Sequence, residues 1–169
     1  RMAIPQQDMP VLEPLQRAHL MDEVAIGYTK EQAIVEAQRC LQCKNQPCVN
    51  GCPVNVPIPQ FIAEIANGDF KKAVDIIKTT NLLPAICGRV CPQEKQCQEQ
   101  CTVGKALKDV EKSVAIGRLE RFVADYEREN NLQTLPEIAP ATGKKVAIIG
   151  SGPAGLTAAA DVRRDGHEV

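Results

Sequence analysis

The chain has 169 residues, a net charge of −1 from 20 Lys+Arg against 21 Asp+Glu, 44% apolar residues and 3% aromatic ones. That balance supplies no broad basic field for nucleic acid or an anionic membrane, and no run reaches the roughly 18 apolar residues of a transmembrane helix, so neither partner is expected. With no Trp, two Tyr and three Phe, the chain lacks the large rings that usually dominate core burial, and its eight Cys, all between Cys40 and Cys101, are the obvious substitute.

Residues 1–28, punctuated by Pro5, Pro10 and Pro14, read as an extended lead-in. No basic-then-apolar leader is visible there, so a cytoplasmic setting with reduced thiols is expected. Thr29 followed by Gln32 matches a capping box, and Ala33, Ile34, Ala37 and Leu41 recur at helical spacing; this predicts a helix from about Lys30 to Arg39 that delivers Cys40 at its end. Pro57 to Pro59 marks another helix start, with Ile58, Phe61, Ile62 and Ile65 as its apolar stripe. Asn67-Gly68-Asp69 interrupts it, and Phe70, Ala73, Val74 and Ile77 begin a second stripe, so an antiparallel helix pair is expected between the two cysteine groups. A further amphipathic helix is predicted from Ser113 to about Arg128 through Ile116, Leu119, Val123 and Tyr126. Asn130 to Lys144, with Pro136, Pro140 and Gly143 and no periodicity, reads as a linker. The β-branched run Lys144–Ile149 then leads into Gly150-Ser151-Gly152-Pro153-Ala154-Gly155 and a small-residue helix, the opening of a βαβ unit whose second strand is only beginning at Val169.

The first cysteine group, Cys40-x2-Cys43-x4-Cys48-x3-Cys52-Pro53, is close to a bacterial ferredoxin run, in which the Cys-Pro cysteine serves the other of two clusters. Cys87-x3-Cys91-Pro92-x4-Cys97-x3-Cys101 supplies four more sulfurs, and two clusters are the natural count. Two structural zinc sites or a disulfide framework are the alternatives from the same residues, although only Cys40 and Cys43 have the CxxC spacing usual for zinc. Glu120 is odd: it sits on the apolar stripe, and its neighbours three and four positions away, Ile116, Gly117, Val123 and Ala124, include no cation. It is either a partly exposed residue at the stripe edge or a metal ligand. Gly150-x-Gly152-x-x-Gly155 between strand and helix is a dinucleotide fingerprint, in which glycines permit a tight turn and close approach of pyrophosphate to a helix N-terminus, and it points to FAD or NAD(P).

Taken together, Tyr28-Thr29-x-Glu31-Gln32-Ala33, Arg39-Cys40-Leu41-x-Cys43, Cys87-Gly88-x-Val90-Cys91-Pro92, Ile116-Gly117-Arg118-Leu119-Glu120-Arg121-Phe122 and Val146–Gly155 resemble the N-terminal part of the small subunit of NADPH-dependent glutamate synthase. The module is also similar to the N-terminal region of dihydropyrimidine dehydrogenase and to the large subunit of NADH-dependent ferredoxin:NADP oxidoreductase. The resemblance implies a mainly α fold: an α-helical ferredoxin-like domain over residues 29–129 carrying two 4Fe-4S clusters, a linker over 130–144, and over 145–169 the truncated start of a Rossmann-type domain. By position it implies Cys40, Cys43, Cys48 and Cys101 for one cluster, and Cys52, Cys91, Cys97 and Glu120 for the other, with Cys87 left over as a buried thiol nearby. Gly150, Ser151, Gly152, Pro153, Ala154 and Gly155 would contact the dinucleotide. The implied activity passes electrons from NADPH through FAD and the clusters to a glutamate synthase large subunit or an equivalent acceptor, with no acid–base catalyst in this chain. An amide takes the place of Glu120 in the pyrimidine relative, which leans the resemblance toward glutamate synthase. A bifurcating ferredoxin:NADP-type subunit and a redox-inert zinc-stapled interaction domain are the alternative readings.

Overall fold

A computed structural model describes residues 1–169, which divide into two compact units, Arg1–Leu132 and Gln133–Val169. The first is helical. Its elements are α1 (Pro14–Arg17), α2 (Lys30–Gln38), α3 (Pro47–Asn50), α4 (Ile58–Asn67), α5 (Phe70–Lys78), α6 (Pro84–Val90), α7 (Thr102–Leu107) and α8 (Ile116–Glu129), with single 3₁₀ turns at Gln93–Lys95 and Val110–Lys112.

The core follows from the apolar stripes. Phe61, Ile62 and Ile65 of α4, Ala73, Val74 and Ile77 of α5, and Leu119 and Val123 of α8 are sealed from solvent, and α4 packs on both α2 and α5. All three phenylalanines are buried. Phe70 meets Phe122 and Tyr126 edge-on, with ring centroids 5.0 Å apart in each case, the geometry that aligns ring edges with ring faces. Gly68, at φ +82°, ends α4 in the left-handed region, and Asp69 then caps α5 by accepting from Lys72 N at 3.0 Å. The capping box of α2 is present, with Gln32 N donating to Thr29 Oγ1 at 3.2 Å and Thr29 N to Gln32 Oε1 at 3.0 Å.

Two expectations for this unit are corrected. The lead-in is not merely extended: α1 forms, and Val11 bridges antiparallel to Ala25, with Leu12 N donating to Val24 O at 2.9 Å and Ile26 N to Pro10 O at 2.8 Å. The last helix starts at Ile116 rather than Ser113 because residues 113–115 are held extended by a buried polar node. Arg39, 3% exposed, donates to Glu36 Oε1 at 2.6 Å, Ser113 O at 3.0 Å and Lys112 O at 2.6 Å. Glu36, fully buried, also accepts from Ala115 N and Gln7 N, both at 2.8 Å. The same strap reaches the second cysteine group, since Ser113 Oγ donates to Gln98 O at 2.9 Å and Gln98 Nε2 to Val114 O at 3.1 Å. With Arg39 Nε also donating to Ile4 O at 3.3 Å, five hydrogen bonds reach this one ion pair and satisfy the polar groups that burial strips of water, which is the condition for tolerating such a pair.

The second unit is built on α9 (Pro153–Arg164). The run expected to be its first strand makes only an isolated parallel bridge, Lys145 with Glu168, rather than a ladder; Val146 N donates to Glu168 O at 2.8 Å and Glu168 N to Lys144 O at 3.0 Å. Part of the segment expected to be a free linker is engaged here: Ala139 N donates to Arg164 O at 2.9 Å and Thr142 N to Gly166 O at 3.1 Å. The first of these bonds caps a carbonyl that the end of α9 leaves open.

Candidate metal centres

The thiols are carried on loops and short helices that α2, α4 and α8 hold in place. Cys40 leaves the end of α2, where the buried Arg39 fixes the exit. Cys43 follows in the loop, Cys48 lies in α3, and Cys52 lies just past it. Two of the five non-glycine residues with positive φ fall in this run, Gln42 at 56° and Gln46 at 42°, and a third, Asn55 at 52°, follows just after it. Left-handed backbone at ordinary residues costs about 1–2 kcal/mol each, and here it curls the chain so that Cys40, Cys43 and Cys48 face one interior. Cys87 lies in α6, Cys91 at its end, Cys97 after the 3₁₀ turn, and Cys101 is the residue before α7. The two runs touch: a Cβ on Gly51 would lie 2.7 Å from Gln96 O, a space only glycine leaves open.

The sulfurs line two cavities, and neither matches one sequence group. The first, about 360 Å³ of partly open space, lies between Cys40, Cys43, Cys48 and Cys101. Apart from Thr102 its remaining walls are apolar, with Leu41, Ile62, Val103 and Val114 prominent. The second, about 560 Å³, is lined by Cys52, Cys87, Cys91, Cys97 and Glu120, with Asn81 and Gln93 among the polar neighbours. Cys101 has crossed to the first run and Cys52 to the second. Ile58 and Ile116 line both cavities and so form a shared apolar wall.

Burial governs the protonation of these donors. Loss of water, reinforced by Cys40 and Cys101 nearby, pushes the Cys48 thiol up to about 12. Desolvation followed by the proximity of Cys52 and Glu120 does the same for Cys97, to about 12, and desolvation with Cys87 beside it takes Cys91 to about 11. Cys40 is raised chiefly by burial. Such thiols hold their protons until a cation repays the charge, so metal binding here must displace protons.

Glu120 is 8% exposed, and desolvation lifts its carboxyl to about 7 against the lowering effect of one bond, from Asn81 Nδ2 to Oε1 at 2.7 Å. Glu36 is paired with Arg39, and Glu127 with Lys78 at 2.5 Å, whereas no cation contacts Glu120, which instead borders a cavity with four thiols. An acidic group withdrawn from water without a countercharge is the arrangement a metal would relieve.

All eight cysteines are free thiols, so no disulfide framework forms. No three His, Cys, Asp or Glu side chains converge closely enough to hold a single ion. Tetrahedral zinc with thiolates at about 2.3 Å needs sulfurs drawn to one point. Soft donors spread around an apolar cavity suit a larger body instead, and thiolate sets of this kind fit a cuboidal iron–sulfur cluster. Cys43 Sγ lies 3.2 Å from Thr102 Oγ1 and Gln42 Nε2 donates to Cys40 Sγ at 3.4 Å, so the sulfurs of the first cavity already have polar support.

In the second unit, Gly150 takes φ +107°, Gly152 precedes α9, and Pro153 occupies its first turn. A Cβ on Gly155 would lie 2.1 Å from Gly150 O, so the third glycine permits close approach of helix and loop. Ser151, Gly152, Pro153 and Ala154 are exposed around the helix N-terminus.

These features define a helical iron–sulfur type of domain, and residues 17–132 match the family described as dihydropyrimidine dehydrogenase domain II, 4Fe-4S cluster. The chain belongs to that family. It is 41% identical over 149 residues to the NAD-dependent dihydropyrimidine dehydrogenase subunit PreT of Escherichia coli K12, covering 88% of this chain and 35% of the relative. It is 40% identical over 144 residues to the glutamate synthase [NADPH] small chain of the same organism, covering 85% and 30% respectively. The small chain from Azospirillum brasilense is 32% identical over 164 residues, 96% of this chain and 33% of that one. The chain thus spans about a third of the length of the relatives it matches. No helix is long and apolar enough to cross a membrane.

Proposed function

We propose that this chain is the electron-transfer part of an NADPH-dependent flavin and iron–sulfur oxidoreductase of the glutamate synthase small-subunit type. The observation that carries the reading is the sorting of the eight thiols, four to each, and one cation-free carboxylate into two half-buried cavities. Cys40, Cys43, Cys48 and Cys101 would hold one 4Fe-4S cluster, and Cys52, Cys91, Cys97 and Glu120 the other. When bound, such clusters supply one-electron redox chemistry between a two-electron flavin and a distant acceptor.

This chain's own residues set the conditions for that chemistry. The apolar walls leave the sulfurs only partly exposed to water, and Ile58 and Ile116, which line both cavities, stand between the two donor sets. Arg39 and Glu36 fix both the exit of α2 and the strap that holds the second thiol loop. Gly150 to Gly155 would receive the pyrophosphate of FAD as the opening of a Rossmann-type domain, and NADPH, a cytoplasmic setting and a glutamate-forming partner subunit belong to the same reading. The 41% identity to a dihydropyrimidine dehydrogenase subunit favours a second reading, in which the partner reduces a pyrimidine.

The test is anaerobic reconstitution of the chain with iron and sulfide, reduction by dithionite, and mixing with purified partner subunits of each kind. Reduction should bleach a broad visible band. Its return on mixing with the glutamate-forming subunit supports the proposal, whereas return only with the pyrimidine-reducing partner selects the second reading. A colourless protein unchanged by dithionite would sink both.

A further inference from the structure

Glu120 is held by one side chain, and that side chain has no freedom to turn. Asn81 lies between α5 and α6, 7% exposed, with its own N–H donating to Ile77 O at 2.9 Å. Its Oδ1 accepts from Leu83 N at 3.0 Å, closing an Asx-type turn at the start of α6, and Cys87 Sγ lies 3.6 Å from the same oxygen. An amide whose oxygen is engaged by a backbone N–H must present its NH₂ on the other side. That NH₂ donates to Glu120 Oε1 at 2.7 Å. The turn accounts for Oδ1 alone; the NH₂ is spent on a buried carboxylate with no cation against it.

We propose that Asn81 is a positioning residue for the cavity that contains Glu120: it clamps Oε1, leaves Oε2 as the donor to the metal, and withdraws charge from that carboxylate. The inference rests on the reading of Glu120 as a ligand. It extends that reading to a residue outside the donor set, and makes the two centres differ in hydrogen bonding as well as in donor type. Partners of this kind orient a ligand and tune the metal it binds, and losing one typically costs about 10–100-fold in metal affinity. A hydrogen bond to a ligand also raises the reduction potential of the centre it serves.

Two substitutions test this in the reconstituted full chain. Asn81→Asp is isosteric and keeps an acceptor for Leu83 N, but replaces the donor facing Glu120 with an oxygen. Asn81→Ala removes the clamp without adding charge. The readouts are iron and sulfide content, the rate of iron loss to a chelator, and a redox titration followed by electron paramagnetic resonance. Both variants should keep one centre with wild-type signal and potential. The other should show an altered signal, a lower potential, and iron loss about 10–100-fold faster, with Asn81→Asp the more severe. Wild-type signals and potentials for both centres in the two variants would overturn the proposal, as would loss of both centres together, which assigns Asn81 to folding. Failure of the wild-type chain to take up sulfide would instead remove the underlying reading of Glu120, and the proposal with it.

Discussion

The two cavities are built from the same kind of loop but for different donor sets. The one bordered by Cys40, Cys43, Cys48 and Cys101 is walled by aliphatic side chains, while the one bordered by Cys52, Cys91 and Cys97 includes a carboxylate, an amide pair at Asn81 and Gln93, and the additional thiol of Cys87. A single helix accounts for much of the difference. α8 presents Ile116 to both cavities and Glu120, one turn later, to the second alone. Ligand identity and nearby hydrogen bonds set the potential of a cluster, so one small domain can hold two centres of different character without any change of architecture.

The largest effects should come from the crossing cysteines. Cys101→Ser should resemble Cys43→Ser, and Cys52→Ser should resemble Cys97→Ser, each reducing the iron bound from about eight to about four per chain. Glu120→Ala should alter the same centre as Cys52→Ser and leave the other signal unchanged. Pairing by sequence group instead, with Cys101 behaving like Cys97, would break the comparison. Next, Arg39→Met strands the charge of Glu36 in the core and should cost about 3–5 kcal/mol in urea unfolding. The four-thiol centre should be lost at lower urea than the other, because Arg39 adjoins Cys40.

A smaller and more local effect is expected at Gly88, where an added Cβ would sit 2.6 Å from Arg121 N and wedge α6 away from α8. Gly88→Ala should destabilise by about 1–3 kcal/mol, as overpacking does, and should shift the resonance signal of the Glu120-containing centre only. Thr29→Ala removes the α2 cap and should cost about 1 kcal/mol while sparing both signals, which makes it a control for general destabilisation.

Periodic and local features were legible in the residues themselves. The stripes of α4, α5 and α8, the Thr29–Gln32 box and the distinct duties of Gly150 and Gly155 all follow from spacing and backbone sterics. Glu120 was detectable because no cation stands a turn away on its helix. The ferredoxin-like Cys52-Pro53 pair pointed Cys52 toward the other cluster, but spacing gave no sign that Cys101 crosses the opposite way, and each borders the cavity of the other group. Their assignment depends on how the two thiol loops meet in space, as Gly51 does Gln96, a long-range fact. The Arg39–Glu36 node, the Ser113–Ala115 strap and Asn81 left no periodic trace, because each works through single polar contacts between distant segments. The strand expected before Gly150 forms no ladder for a related reason: β-branched composition marks strand tendency, but a ladder needs a paired neighbour, and only Glu168 supplies bonds to it.

The central claim is that the two cavities are iron–sulfur sites, and the most direct measurement is the metal and acid-labile sulfide content of the chain after anaerobic reconstitution with iron, sulfide and zinc offered together. The account predicts about eight iron and eight sulfide per chain, with two resonance signals after reduction. About two zinc per chain with no sulfide would contradict it and make the thiols structural staples.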